Sequence, residues 1–186
     1  MREAYSKAAA DPTAKHPFPL GRAFALEVGY PAELLDEMPP EAVARFTGVT
    51  DLSIVADLPP GATVLDLGCG TGLDAMIAAR RVGKSGWVIG ADFSEEMVRG
   101  AREAAKGIRN VEFICAAAEG LPLKDGSMDV VLANGILNLN PHRDKVLYEM
   151  HRVLAPGGAA YMAELLLIEP AAPASAAACD PGRWFS

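Results

Sequence analysis

The chain has 186 residues, 51% of them hydrophobic and 22% charged, with a formal net charge of −7; this fits one soluble globular domain with a sizeable core and excludes a disordered chain. No apolar run approaches the roughly 20 residues of a transmembrane helix, the start MREAYSKAAADP has no apolar signal core, and the acidic balance speaks against nucleic acid as a partner, because phosphate binding needs clustered Lys and Arg. Cys69, Cys115 and Cys179 have neither C-x-x-C spacing nor an even number, so neither a disulfide framework nor a metal site is expected, and a reducing cytoplasm fits best.

Residues 1–60 read as a helical and loop-like segment expected to lid the site. Pro31 opens AELLDEM, Pro39 and Pro40 open EAVARF, and Asp51 opens LSIVADL, which Pro59 and Pro60 stop. From residue 61 onward strand and helix alternate. The pattern predicts strands at 62–67, 86–91, 110–115, 128–134 and 158–168, with helices at 72–82, 94–105 and 141–154. Ser94 with Glu95 and Glu96 suits the positive start of the second of these helices. The third has Pro141 at its first position and stops before Pro156, Gly157 and Gly158. Right-handed crossovers then predict an α/β Rossmann-like three-layer sandwich over 61–169, with a parallel sheet of order 3-2-1-4-5. Ligands bind at the switch between the first and fourth strands. Residues 170–186, rich in Ala and Pro, read as an irregular tail.

The most informative run is VLDLGCGTG at 64–72. Val64, Leu65 and Leu67 suit a buried parallel strand, Asp66 places a carboxylate near its end, and Gly68, Gly70 and Gly72 allow a sharp turn and close approach to a ligand. Leu73 stands where a dinucleotide fingerprint would continue its G-x-G-x-x-G spacing, which argues against a nicotinamide enzyme. Asp92, twenty residues after Gly72, ends the second strand where a carboxylate accepts from ribose hydroxyls.

With these residues in that context, the sequence resembles the class I S-adenosylmethionine-dependent methyltransferases, whose first motif is an acidic residue followed by G-x-G-x-G at the end of the first strand. The resemblance implies S-adenosylmethionine as cofactor. Asp66 would then help hold the methionine ammonium, the glycines would leave room for the methionine and ribose, and Asp92 would take the ribose hydroxyls. Phe93 and Met97 would pack on the adenine, although each also suits a core. Where the family often has an aspartate after the third strand, this chain has Ala117. The Ala118 N–H remains as a donor, and Glu119 is either a substitute acceptor or a solvated residue. Asn134, ending the fourth strand, would face the reacting sulfonium. Asn134-Gly135-Ile136 lacks the Pro-Pro-aromatic continuation of amino-group methylating enzymes, and the carboxylate cluster of metal-dependent O-methyltransferases is also missing.

GYPAELL, VLDLGCGTGLDAMIAARRVGKSGWVIGAD and LANGILNLNPHRDKVLYEMHRVLAPGG resemble the arsenite methyltransferase branch more closely, over roughly residues 29–168. That branch binds trivalent arsenic through thiolates, one of them in the place of Gly135, and soft metalloids need sulfur ligands. Cys69 and Cys115 read as structural, which leaves Cys179. His142, at the start of the last helix, is the candidate general base. His16 is a candidate loop residue over the site, and His151 a packing residue. Tyr5 and Tyr30 read as substrate contacts or packing residues.

The main expectation is therefore methyl transfer from S-adenosylmethionine to a small-molecule acceptor, with His142 and Asn134 at the reaction site. The alternatives are an arsenite methyltransferase-like enzyme and a noncatalytic S-adenosylmethionine-binding subunit. Full members of the resembled family continue with a helix and two antiparallel strands, whereas 17 residues follow Glu169. The sheet is thus expected to lack the last two strands, and its bare edge to favour homo-oligomers or coverage by the tail.

Overall fold

The computed structural model of the chain describes residue 16 and residues 18–165. Four short helices lead in: α1 (Gly21–Glu27), α2 (Ala32–Asp36), α3 (Pro40–Val43) and α4 (Leu52–Val55). The alternating part follows as β1 (Thr63–Leu67), α5 (Leu73–Val82), β2 (Trp87–Asp92), α6 (Glu95–Ala104), β3 (Val111–Cys115), β4 (Met128–Asn134), α7 (Arg143–Val153) and β5 (Leu154–Ala163). All strand pairs are parallel and their order is β3-β2-β1-β4-β5, as the alternation predicts.

The central strands β1, β2 and β4 bury both faces, which is why β1 and β4 read as continuous apolar runs rather than alternating ones. Val64, Val88, Val130 and Leu132 point into one core with Met76 and Ile77 of α5 and Val98 and Ala101 of α6. Leu65, Leu67, Ile89, Val131 and Ala133 point into a second core with Val146, Met150 and Val153 of α7. Tyr30, Leu35, Ala42, Phe46, Leu52 and Leu58 belong to the first core, so the leading segment is built into the sheet's cover. Its packing explains α5, whose Leu73 to Ala79 are all buried between the sheet and that segment.

Three predicted boundaries move by more than one residue, one of them the end of β5, which stops at Ala163 and leaves residues 164 and 165 outside the strand. The last helix starts at Arg143, not Pro141, because Asn140 Oδ1 accepts the His142 N–H at 2.7 Å and holds an extra turn before the helix. β5 starts at Leu154, not residue 158: Pro156, Gly157 and Gly158 are absorbed in a register shift between the pairs Met128↔Leu154 and Val130↔Ala159. α1 is a further element that the pattern did not single out. Residues 166–168, the tail at 170–186, Tyr5 and Cys179 lie outside the described residues.

The registers set the site. Leu67 pairs with Ala91 and with Ala133, so the carboxyl ends of β1, β2 and β4 stop at one level, and Asp66, Asp92 and Asn134 border the same space.

Candidate functional site

That space is a cavity of about 400 Å³, within the range of small-molecule sites. Its floor is the loop from β1 to α5. The N–H groups of Gly68 and Cys69 both donate to Ala91 O, at 2.8 and 3.1 Å, which turns the chain back over β2. Gly70 has a φ of +52°, and a Cβ there would meet nothing within 4 Å. The loop is therefore left-handed and bare where it faces the cavity. Gly72 differs from the expectation, since it is absent from the cavity lining and packs on the Phe113 ring, which a Cβ would meet at 2.7 Å.

Asp66, Asp74 and Asp92 all line the cavity and are 2%, 7% and 8% exposed. Asp92 Oδ2 accepts from Gly70 N at 3.0 Å and Oδ1 from Ser94 N at 2.9 Å, so both oxygens are oriented and each keeps acceptor capacity. Asp66 accepts from the Ala75 N–H, while its Oδ2 is buried with no hydrogen-bond partner among the described residues. Such an atom is costly unless a donor comes to it. Burial, then the charges of Asp74 and Asp92, push the Asp66 carboxyl well above the ordinary range. Burial also raises Asp74 and Asp92, against the hydrogen bonds they accept. Arg45 is the one cationic side chain of the lining. The cavity thus suits a ligand that carries positive charge at Asp66 and hydroxyls at Asp92.

Phe93, Met97, Ala117, Ala118 and Glu119 form the wall at the end of β2 and β3. Met97 is 2% exposed, its N–H donating to Ser94 Oγ at 3.4 Å, as the expected cap requires. Glu119 is held rather than solvated: Asn140 Nδ2 donates to its Oε1 at 3.0 Å.

Asn134 lines the cavity, but its amide is committed to protein. Oδ1 accepts from Val49 N at 2.7 Å and Thr50 N at 3.3 Å, and Nδ2 donates to Thr50 O at 2.8 Å and Asp74 Oδ2 at 2.9 Å. His142 is exposed and absent from the lining. The structure therefore does not bring the expected general base to Asn134: the Asx turn at Asn140 leaves Asn140 and Pro141 facing the cavity and carries His142 to the surface. His16 stacks on Phe18 at 6.1 Å, and His151 is exposed; neither lines the cavity.

Two parts of the site escaped sequence reasoning: the wall of Arg45, Phe46, Thr47 and Gly48, and the third carboxylate, Asp74. Tyr30, read as a substrate contact or a packing residue, is 2% exposed and donates its hydroxyl to Asp74 instead of reaching the cavity. An acid in a helix's first turn reads as a complement to the helix dipole. Only the packing of α4 and Tyr30 over Asp74 makes it buried.

A family model described as "Methyltransferase domain" matches residues 58–179. An arsenite methyltransferase of Halobacterium salinarum is 42% identical over 117 residues, which are 62% of this chain and 30% of that protein. A demethylmenaquinone methyltransferase of Listeria welshimeri is 44% identical over 101 residues, 53% of this chain and 42% of that protein. The solved structure of an arsenic(III) S-adenosylmethionine methyltransferase from Chlamydomonas reinhardtii superposes with a TM-score of 0.60 at 33% identity, covering 78% of this chain and 49% of that one. The chain thus spans less than half the length of these relatives.

Proposed function

The chain belongs to the methyltransferase-domain family, and from that premise we propose that it transfers a methyl group from S-adenosylmethionine to a small-molecule acceptor by in-line displacement. The observation that carries the reading is Asp66, whose Oδ2 is buried without a hydrogen-bond partner among the described residues, lining a cavity shared with Asp92 and the bare backbone of Gly70. These residues fit the cofactor. Asp66 would hold its ammonium, Asp92 its ribose hydroxyls, and Phe93 and Met97 would flank its adenine, beside the Ala118 N–H and the Asn140-held Glu119. When bound, S-adenosylmethionine supplies a methyl group made electrophilic by the sulfonium.

The remaining work of the chain is positioning. Asn134 acts through its fixed place at the end of β4, since its amide is spent on Val49, Thr50 and Asp74. A displacement at a sulfonium gains most from alignment of acceptor and methyl, so an acceptor that is already nucleophilic needs no base at His142. A reducing, cytoplasmic setting belongs to the same reading, because Cys69 and Cys115 are free thiols. No helix among the described residues is long and apolar enough to cross a membrane.

Arsenite is the second reading, favoured by the relatives that act on it. The donor set argues against it. The residue at 135 is a glycine that brings no thiolate, with a φ of +81° and a Cβ position 2.8 Å from Val49 Cγ2, so a side chain there is disfavoured by backbone and neighbour together. Burial and the nearby carboxylates push the Cys69 thiol up, away from the thiolate that metalloids require. Cys115 is exposed and absent from the lining.

The test is calorimetric titration of the chain with S-adenosylmethionine, with NAD as the control ligand. Binding of S-adenosylmethionine and not of NAD is expected, and no binding would sink the reading. Methyl transfer in an acceptor screen then separates an enzyme from a noncatalytic binding subunit.

A further inference from the structure

Asp74 joins four segments of the chain. Tyr30 donates its hydroxyl to Oδ1, the Ser53 N–H donates to the same oxygen at 3.4 Å, and Asn134 Nδ2 donates to Oδ2 at 2.9 Å. A carboxylate can only accept, so Asp74 fixes which end of the Asn134 amide faces it and turns Oδ1 toward the backbone N–H groups of Val49 and Thr50. Thr50 O closes the circuit by accepting from Asn134 Nδ2 at 2.8 Å, with the Tyr30 hydroxyl oxygen 3.3 Å away. The segment 46–50 is thereby drawn down so tightly that a Cβ on Gly48 would sit 2.5 Å from Asn134 Nδ2. Thr47 and Gly48 of this strap wall the cavity beside Asn134 and Gly135. On its other side Asp74 adjoins Asp66: the two buried carboxylates line the same cavity, and Asp66 accepts from the N–H of Ala75, the residue next to Asp74.

We propose that Asp74 is a positioning residue that couples the cofactor end of the cavity to the strap at 46–50, so that a cationic cofactor at Asp66 tightens the wall against which the acceptor is aligned. The proposal rests on the methyl-transfer reading above. With no cation present, two buried carboxylates oppose each other, and a proton taken up by Asp74 turns one acceptor into a donor and costs it a partner among Tyr30, Ser53 and Asn134. A cation at Asp66 keeps both carboxylates ionised, and a full charge on Asp74 strengthens every bond it accepts. Cofactor binding and the setting of the acceptor wall thus favour each other.

Hydrogen exchange of the strap amides in the full chain, with and without saturating S-adenosylmethionine, tests this. In the unmodified chain the cofactor should slow exchange at Val49 and Thr50 about tenfold, the equivalent of one charge-assisted hydrogen bond strengthened. Asp74→Asn, which keeps the shape and removes the charge, should still bind S-adenosylmethionine by calorimetry while its strap exchanges fast and equally with or without it. Tyr30→Phe keeps the ring on Phe46, 4.9 Å away in the unmodified chain, and should show a reduced response. It serves as the second reading if Asp74→Asn does not fold. Equal slowing in the variants and the unmodified chain would overturn the coupling, as would a strap indifferent to bound cofactor. No binding to the unmodified chain would instead overturn the proposed function and the coupling with it.

Discussion

At the scale of single residues, the site turns on where buried charge is left waiting for a partner. Asp66 has both a raised carboxyl and an unpartnered oxygen, so its counter-charge is available to an ammonium only above its raised pKa. The affinity for S-adenosylmethionine should therefore fall as pH is lowered through that value, which calorimetry across a pH series would detect; an affinity that rises in acid would contradict the assignment. Asp66→Asn should weaken binding by about 10- to 100-fold, the range for a hydrogen bond to a charged group, and leave the fold in place. Gly135 is the residue where space decides chemistry. Gly135→Cys should cost about 1–3 kcal/mol for a left-handed, crowded position, seen as a lower Tm, and bring no arsenite-dependent consumption of S-adenosylmethionine.

Elements place these residues, and the ones that matter most for placement are loops held by side chains. The wall at 116–119 continues into a segment held on α7 by Arg152. Its guanidinium donates to Leu121 O at 3.0 Å, Leu123 O at 2.7 Å, Asp125 Oδ1 at 2.7 Å and both oxygens of Glu149 at 2.7 Å. Glu149 in turn accepts the Leu121 N–H at 2.7 Å, and the Arg152 hydrogen bonds hold its carboxyl below the usual range. Arg152→Ala would leave the buried Glu149 without its cation. A loss of about 2–4 kcal/mol is expected, with faster hydrogen exchange at 116–123 and weaker binding of the cofactor's adenine end. Unchanged denaturant midpoints would refute it. Across the cavity, Glu164 at the end of β5 accepts from Leu137 N at 2.6 Å and Asn138 N at 3.2 Å, which ties the β4–α7 loop to the sheet.

For the whole molecule, three raised carboxyls in one cavity make the ligand-free fold pay at high pH. Their pKa values lie above those of the unfolded chain, about 3.9, so between the two values the folded state holds more protons and stability declines as pH rises. That contribution is fully present below the unfolded value and gone above the native one. Denaturation without ligand should show this decline from mildly acidic pH upward, and S-adenosylmethionine should offset it; a stability that climbs through the same window would show that the cluster does not govern it. The β5 edge raises a separate expectation. Among the described residues β5 is an edge strand with Met162 47% exposed, and edges of this kind pair unless covered. Sedimentation of the full chain should report self-association, which a strictly monomeric profile with a protease-labile β5 would refute.

The local pattern of this chain determined the alternation of strands and helices, the order of the sheet and the glycine loop with its two flanking aspartates, because each depends on periodicity, turn chemistry and handedness that act over a few residues. It also put Asp66, Asp92 and Asn134 at or near the carboxyl ends of their strands, which a parallel sheet brings to one crevice. Only the tertiary structure decided that Gly72 turns to Phe113 rather than to the cavity, and that Asp74, Tyr30 and the 46–50 strap join the site. Those outcomes rest on burial by segments about 20 to 85 positions apart in the chain, and no spacing rule links residues that meet only when α4, α5 and β4 pack together.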